Sequence, residues 1–206
     1  MRLLALPLLL ILGGAAGARE TLTTVAERSG FLRTGRYDEV VALCPAFARA
    51  FPGKASCLEL GRTPEGRPLL ALAASSDGVL TPAAARQKGR PVMLWIAGIH
   101  AGEIDGKDAG FQVLRELLES GKPNGLAAVT VLFVPVFNVD GHERFGPQQR
   151  PNQRGPQESG YRRTAQELNL NRDWTKAEAP EMAALLGLVK DWDPALMVDL
   201  HVTDGA

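Results

Sequence analysis

Three histidines, His100, His142 and His201, are the residues of this 206-residue sequence best suited to metal or acid–base chemistry. His100 opens a His-Ala-Gly-Glu segment, in which an imidazole and the Glu103 carboxylate stand three residues apart on a turn and can reach one ion. Two histidines and one glutamate are a known catalytic zinc set that leaves a fourth position for water. We therefore predict that His100, Glu103 and His201 bind one Zn²⁺ ion.

The position of these residues in the fold supports this interpretation more than their spacing does. Taken alone, a His-x-x-Glu pattern fits a hydrogen-bonded surface turn equally well. His100 and His201, however, both directly follow apolar segments typical of buried strands, and ligand sites in open α/β sheets lie at such strand ends. Asp199 shares a strand face with His201, so it can serve either that imidazole or a neighbouring loop. His142 lies in a loop, where we expect a solvent-exposed turn residue.

The elements that must position these residues follow from the periodicity of the apolar positions. Strands are predicted at Leu69–Ala74, Pro91–Ala97, Val129–Val136 and Ala195–Leu200, and helices at Tyr37–Phe51, Asp108–Leu118 and Ala179–Trp192. Pro45 predicts a kink or a late start for the first helix. The segment 141–163 is rich in Gly, Pro, Gln and Arg and is predicted to be a long functional loop. This alternation of strands and helices indicates an α/β fold with a largely buried sheet.

The N-terminus has the pattern of an export signal. Met1-Arg2 precedes an apolar run over residues 3–12, and Ala16-Gly17-Ala18 resembles a cleavage site. We predict a signal peptide over residues 1–18, a lead segment over 19–30 and a secreted or periplasmic protein; a buried N-terminal helix is the alternative. The apolar run is too short to span a bilayer, which needs about 20 residues.

Charge and cysteine content narrow the partners and the redox environment. Lys and Arg together number 23, as do Asp and Glu, so nucleic acid and anionic membranes are not expected as main partners. Cys44 and Cys57 are the only cysteines, and after export they either form a disulfide or remain two buried thiols. The composition gives no indication of the oligomeric state.

Four motifs together resemble one family. His100-x-x-Glu103, Asn138-x-Asp140-Gly141, Asn171-Arg172 and His201 occur in the order found in zinc metallocarboxypeptidases similar to carboxypeptidase A. The turn at residues 61–67 also resembles that family, and the resemblance covers residues 31–206. It implies a zinc carboxypeptidase catalytic domain over 31–206, with an α/β/α sandwich around a mixed, largely buried central sheet that is truncated at its C-terminal side.

The resemblance also implies a role for each motif. The zinc ion would polarise the scissile carbonyl and activate a water molecule for hydrolysis. Asn171 and Arg172 match the pair that holds the terminal carboxylate of a peptide with a free C-terminus, a task suited to the guanidinium fork. Arg150 best matches the arginine that stabilises the oxyanion, with Arg154 as its rival.

Three departures from the family pattern are visible. Asn169 stands where the family has an aspartate that orients a zinc-bound histidine, and Val139 replaces a proline without expected consequence. The family's general-base glutamate and substrate-binding tyrosine lie well downstream of the last zinc ligand. Only residues 202–206 follow His201, and none is Glu or Tyr. We therefore expect a fragment that lacks its general base and turns over poorly.

Two other functions remain open at this point. A zinc amidase of the same family would act on cell-wall peptides or acylated amino acids. A non-catalytic zinc-binding remnant would hold the metal without turnover.

Overall fold

The computed structural model describes residues 21–151 and 153–202. The predicted signal peptide and the last four residues lie outside this range. The helices are α1 (Val25–Arg28), α2 (Tyr37–Ala50), α3 (Pro82–Lys88), α4 (Asp105–Glu119), α5 (Val139–Glu143) and α6 (Pro180–Trp192). The strands are β1 (Ala55–Arg62), β2 (Pro68–Ala74), β3 (Val92–Ala97), β4 (Thr130–Val134), β5 (Gly146–Pro147), β6 (Glu158–Ser159) and β7 (Leu196–Leu200). In this part of the chain, no helix has the length and apolar character needed to cross a membrane.

A five-stranded mixed sheet with the order β1-β2-β4-β3-β7 forms the centre of the molecule. β1 pairs with β2, and β2 with β4, in antiparallel fashion, whereas β3 runs parallel to both β4 and β7. The predicted α/β class with a mixed sheet is confirmed. Ala97 at the end of β3 pairs with Leu200 at the end of β7, so the carboxyl ends of these two strands lie side by side.

Helices flank both faces of this sheet, as the neighbouring residues Cys57 and Leu58 of β1 show. Successive residues of a strand point to opposite faces. Cys57 forms a disulfide with Cys44 of α2, while Leu58 lies beside Ala184 and Leu188 of α6. α2 and α6 therefore cover opposite faces, and the predicted α/β/α sandwich is confirmed.

The helix that follows the metal-binding segment packs tightly on the sheet. The Phe111 ring of α4 meets the Phe133 ring of β4 edge to face at a centroid distance of 5.4 Å, and it also contacts Phe47 of α2. Gly110 has no space for a side chain, because a Cβ there would lie 2.2 Å from the Phe133 ring. This close approach fixes the position of α4 on the sheet.

The structure differs from the sequence expectation at several elements. α2 begins at Tyr37 and continues through Pro45, so the predicted late start is wrong. β1 was not predicted, because the register shift between Glu59 and Gly61 breaks the alternation of its side chains. The segment 141–163 is not purely loop, since it contains most of α5 and the short β5–β6 ribbon.

β7 is also more exposed than its apolar sequence predicts. Leu196 and Met197 are 51% and 39% exposed, whereas the apolar strand β4 is buried throughout. The difference follows from position, because β7 stands at the edge of the described sheet and β4 at its centre.

Of the two alternatives for the cysteines, the structure has the disulfide: Cys44 is bonded to Cys57, which joins α2 to β1. The bond closes a short loop, with a sequence separation of 13. We predict that the double variant Cys44→Ala/Cys57→Ala loses about 3 kcal/mol of unfolding free energy, because the unfolded chain regains conformational freedom. Urea unfolding with and without a reducing agent tests this. The reductant should destabilise the native protein and leave the variant unchanged; equal stability of both oxidised proteins would contradict the prediction.

Candidate metal centre

A sharp turn after β3 brings the first two metal-binding candidates together. Gly98 adopts a φ of +61°, a conformation that a glycine reaches without strain. The backbone N–H of Glu103 then donates to the carbonyl of His100 at 2.8 Å, which closes the turn. As a result, Nδ1 of His100 lies 3.1 Å from Oε1 of Glu103, and both side chains are buried.

His201 reaches the same place from the neighbouring strand. It follows β7 directly, and the Ala97–Leu200 pairing places it opposite the turn that carries His100. The two imidazole rings meet edge to face at a centroid distance of 4.9 Å. One ligand atom from each of His100, Glu103 and His201 lies within 4.8 Å of the others, so the three predicted residues form one cluster that could hold a metal ion.

The hydrogen bonds of Asn169 fix the state of the His100 ring. Oδ1 of Asn169 accepts from the backbone N–H of Asn171 at 3.1 Å, so this atom faces His100 as an acceptor. Nε2 of His100, 3.3 Å away, must therefore be the protonated nitrogen of the neutral ring. Burial, and then the charge of Arg162, lower the pKa of His100, which favours that neutral form. The Nδ1 lone pair then points at a Glu103 carboxylate oxygen.

Two facing electron-pair donors are the arrangement that a bound cation would stabilise. Nδ1 of His100 and Oε1 of Glu103 would repel each other without a positive charge between them. The other carboxylate oxygen of Glu103 is buried and has no hydrogen-bond partner. Zn²⁺ prefers nitrogen and carboxylate ligands in such a set of three. The residues present therefore fit a zinc ion.

His201 is oriented by two further side chains. Its Nδ1 lies 2.7 Å from Oδ1 of Asp199, the strand-face neighbour that the sequence suggested as a partner for an imidazole. Donation from Nδ1–H to this carboxylate leaves the Nε2 lone pair available to a metal. In the structure this lone pair accepts from Nδ2 of Asn171 at 3.3 Å, a hydrogen bond that a bound metal would replace. Asn171 thus borders the metal-binding cluster directly.

Arginine side chains surround the buried Glu103. Nη2 of Arg150 lies 2.6 Å from Oε1 of Glu103, and Nη1 of Arg162 lies 3.8 Å from the same atom. Gly102 makes the approach of Arg150 possible, because a Cβ at this residue would lie 2.5 Å from the Arg150 side chain. Arg154, the rival of Arg150 in the sequence analysis, is exposed and lines a cavity beside α4. Arg162 was not singled out from the sequence, because no spacing pattern marks it.

The remaining predicted binding residue, Arg172, lies at the surface of the same region. It is exposed, and its guanidinium donates to the backbone carbonyl of Asn171 at 2.9 Å. Asn171 and Arg172 belong to a 3₁₀ turn over residues 170–172 that is capped by Asn169. The turn therefore links Arg172 to the residues that contact both histidines.

The Asn138-x-Asp140 motif connects loops rather than facing the cluster. Both side chains are fully buried. Asp140 accepts from the Thr63 hydroxyl at 2.7 Å and from the Arg67 guanidinium at 2.7 Å, which ties the turn before β2 to α5. Asn138 caps α5 and donates through Nδ2 to the carbonyl of Arg162 at 3.0 Å. The motif thus positions the chain around the cluster.

The expectation that His142 is a solvent-exposed turn residue is wrong. Its side chain is fully buried, and Nε2–H donates to the carbonyl of Gly35 at 3.1 Å. Its ring also packs perpendicular to the Phe145 ring. Burial, and then the charge of Lys107, lower the pKa of His142 to about 4. The error arose because the local sequence Asp-Gly-His indicates a turn but carries no information about the segment at residues 33–36 that covers it.

The comparisons with known proteins agree with this fold. The chain belongs to the zinc carboxypeptidase family (peptidase M14), whose model matches residues 40–205. The sequence has no match among curated proteins.

Solved structures of carboxypeptidases share the architecture. A metallo-carboxypeptidase from Burkholderia cenocepacia is 25% identical, with a TM-score of 0.61 over 82% of this chain and 41% of its own. The carboxypeptidase A from Helicoverpa armigera is 20% identical, with a TM-score of 0.63 over 82% of this chain and 46% of its own. A metallo-carboxypeptidase from Pseudomonas aeruginosa, solved with (2-guanidinoethylmercapto)succinic acid, is 19% identical, with a TM-score of 0.58 over 82% and 40%. The chain thus spans less than half the length of each of these proteins.

We predict that the protein binds one zinc ion and that His100→Ala, Glu103→Gln or His201→Ala abolishes this stoichiometric binding. Asp199→Asn should weaken the affinity by about 10- to 100-fold, because it removes the charged acceptor that orients His201. Zinc content after dialysis and a competition titration with a chelator measure both effects. Arg163→Ala is the control and should bind normally. Retention of stoichiometric zinc by His100→Ala would contradict the assignment.

A second prediction concerns the buried, neutral His142. In the unfolded chain its pKa returns to about 6.5, so between pH 6.5 and 4 the unfolded state binds a proton that the folded state does not. The free energy of unfolding should therefore decrease by up to about 3 kcal/mol as the pH is lowered through this window. Urea unfolding of the native protein and of His142→Gln, followed from pH 7 to 4, isolates this contribution. If the unfolding free energies of the two proteins change with pH in the same way, His142 does not cause the loss of stability.

Proposed function

We propose that the protein is a zinc-dependent metallocarboxypeptidase that hydrolyses the C-terminal peptide bond of peptides. The observation that carries the proposal is the convergence of His100, Glu103 and His201 at the carboxyl ends of two adjacent parallel strands. The family match over residues 40–205 supports the same chemistry. Zinc, when bound, supplies Lewis-acid polarisation of the scissile carbonyl and lowers the pKa of water.

Arg150 is proposed to stabilise the negative charge that develops on the carbonyl oxygen. Its guanidinium already reaches the cluster, since Nη2 lies 2.6 Å from Glu103. The side chain is mostly buried, with 12% exposure, so its charge is only weakly screened by solvent. A fixed cation at this place favours a transition state with more negative charge than the ground state.

Asn171 and Arg172 are proposed to bind the terminal carboxylate. Asn171 borders His201, which places an amide donor next to the metal position. Arg172 is exposed and attached to the Asn171 carbonyl, so its remaining guanidinium donors can face an entering ligand. Two parallel N–H donors match a carboxylate better than a single ammonium does.

Weak turnover is part of the proposal. Within residues 21–151 and 153–202, the acids that contact the two histidines are Glu103, which is assigned to the metal, and Asp199, which is bonded to His201. Neither is available to take a proton from water, and a general base contributes about 10²–10⁴-fold to the rate. Peptide binding is therefore a more sensitive measure of the proposed function than turnover for these 206 residues.

Export to an oxidising compartment completes the proposal. The signal-like pattern of residues 1–18 indicates a secreted or periplasmic protein, and the Cys44–Cys57 disulfide of the described chain is consistent with that environment.

The decisive experiment compares peptides that differ only at their C-terminus. We expect the zinc-loaded protein to bind a tripeptide with a free carboxylate at least about 10-fold more tightly than its amide, because a charge-assisted hydrogen bond is lost in the amide. Arg172→Ala should remove the difference, whereas the neighbouring surface variant Arg163→Ala should keep it. Calorimetry measures both affinities. Equal binding of both peptides by the native protein would overturn the carboxypeptidase proposal and favour an amidase.

A further inference from the structure

The cavity that Arg154 lines beside α4 has a volume of about 530 Å³, which falls in the range of roughly 300–1,000 Å³ that is usual for ligand pockets. Its walls come from residues 31–34 of the N-terminal segment, from α4 and the two residues at its start, and from residues 154–157. The three residues of the metal-binding cluster are not among those that line it. The cavity is therefore a space of its own in the described chain.

Two exposed apolar side chains, Phe31 and Leu32, form what we call the apolar tip of this cavity. They are 68% and 71% exposed, the highest values among the large apolar residues that the structure describes. Phe31 also has a φ of +64°, a conformation that is uncommon for any residue except glycine. Its N–H donates to the carbonyl of Ala26 at 2.7 Å, which fixes the turn after α1. Strained residues of this kind concentrate at functional sites, and packing in the core does not explain an aromatic ring left in water.

Buried contacts hold the segment behind the apolar tip against α4. The hydroxyl of Thr34 donates to Asp108 at 2.7 Å, and the ammonium of Lys107 donates to the carbonyl of Gly35 at 3.1 Å. The wall formed by the N-terminal segment is therefore in place before any ligand arrives. A ligand that binds to a wall already fixed loses less affinity to the ordering of side chains and loops.

The buried charges behind the cavity compensate one another. Asp108 lies 3.3 Å from Lys107, Lys107 lies 2.7 Å from Glu39, and Glu39 lies 3.8 Å from Arg28. Two cations thus face two carboxylates. This buried set supplies no net charge to a ligand in the cavity.

The exposed charges of the lining leave an excess of one positive charge. Arg33 and Arg154 reach the cavity from two different segments, and Asp105 is the exposed carboxylate among the residues that line it. Within residues 21–151 and 153–202, neither guanidinium is in a hydrogen bond or an ion pair. Both arginines therefore have donors available, and a guanidinium fork matches a carboxylate.

We propose that this cavity is a second binding site of the protein, which takes a peptide segment that carries acidic side chains next to apolar ones. The carboxylates of the segment would meet Arg33 and Arg154, and its apolar side chains would cover Phe31 and Leu32. The proposal uses neither the metal nor a terminal carboxylate, so it does not depend on the proposed carboxypeptidase function.

The test uses the hexapeptide Ala-Phe-Glu-Leu-Glu-Ala with an acetylated N-terminus and an amidated C-terminus, and its counterpart with Gln in place of both Glu. Calorimetry should show about 5-fold tighter binding of the Glu peptide, the upper range for an exposed charge pair. Zinc-loaded and chelator-treated protein should give the same result. The preference should decrease when the salt concentration rises from about 50 to about 300 mM, because salt screens exposed charges.

Variants assign the two parts of the site. Arg33→Gln and Arg154→Gln should each reduce the preference for the Glu peptide to about 2-fold or less. Phe31→Ser should weaken both peptides about 5-fold, because both lose the same apolar contact. The matched control is Arg62→Gln, since Arg62 is an exposed arginine whose side chain is 61% accessible on β1, and it should bind like the native protein. The side chains changed are all exposed, so thermal unfolding should be the same for every variant.

Three outcomes would overturn the proposal. The first is equal binding of the Glu and Gln peptides by the native protein. The second is a preference that disappears when zinc is removed, which would place the peptide at the metal centre. The third is a dimer in sedimentation experiments that Phe31→Ser abolishes, without peptide binding, which would assign the apolar tip to a second copy of the chain. Equal binding of free and amidated tripeptides, the result that contradicts the carboxypeptidase function, would leave this site unaffected.

Discussion

The parallel pairing of β3 with β7 is the interaction on which the metal-binding cluster depends. Hydrogen bonds between these strands set the register of Ala97 with Leu200, and that register places the residues that follow, His100 and His201, side by side. A shift by one residue would turn the side chains of β7 to the other face of the sheet. The backbone ladder, rather than any contact between the histidines, therefore brings together groups that are a hundred positions apart in sequence.

Buried polar contacts then hold the loops around this strand edge. Asn138 and Asp140 cannot be buried without partners, since an unsatisfied buried polar group is costly. Their partners lie on distant segments: Thr63 and Arg67 on the turn before β2, and the carbonyl of Arg162 on the loop that approaches Glu103. These contacts convert a long segment poor in regular structure into a defined border of the cluster.

The electrostatic environment follows from the same arrangement. Asn169 fixes the proton of His100 on Nε2, and Asp199 fixes the orientation of His201, so both rings present lone pairs inward. Arg150 and Arg162 both approach Oε1 of the buried Glu103. The cluster thus concentrates electron-pair donors for a metal and surrounds them with cations suited to an anionic ligand.

The sequence by itself determined the local features: the apolar runs that become β2, β3 and β4, the helix α6, and a His-x-x-Glu pattern with a second histidine after a strand. These are readable because periodicity and strand ends are properties of neighbouring residues. The tertiary structure decided which distant groups meet. It joined Cys44 to Cys57, buried His142 under a segment a hundred residues earlier, and directed Arg162 to Glu103 while Arg163 points away. Such choices depend on packing between segments, which no local pattern encodes.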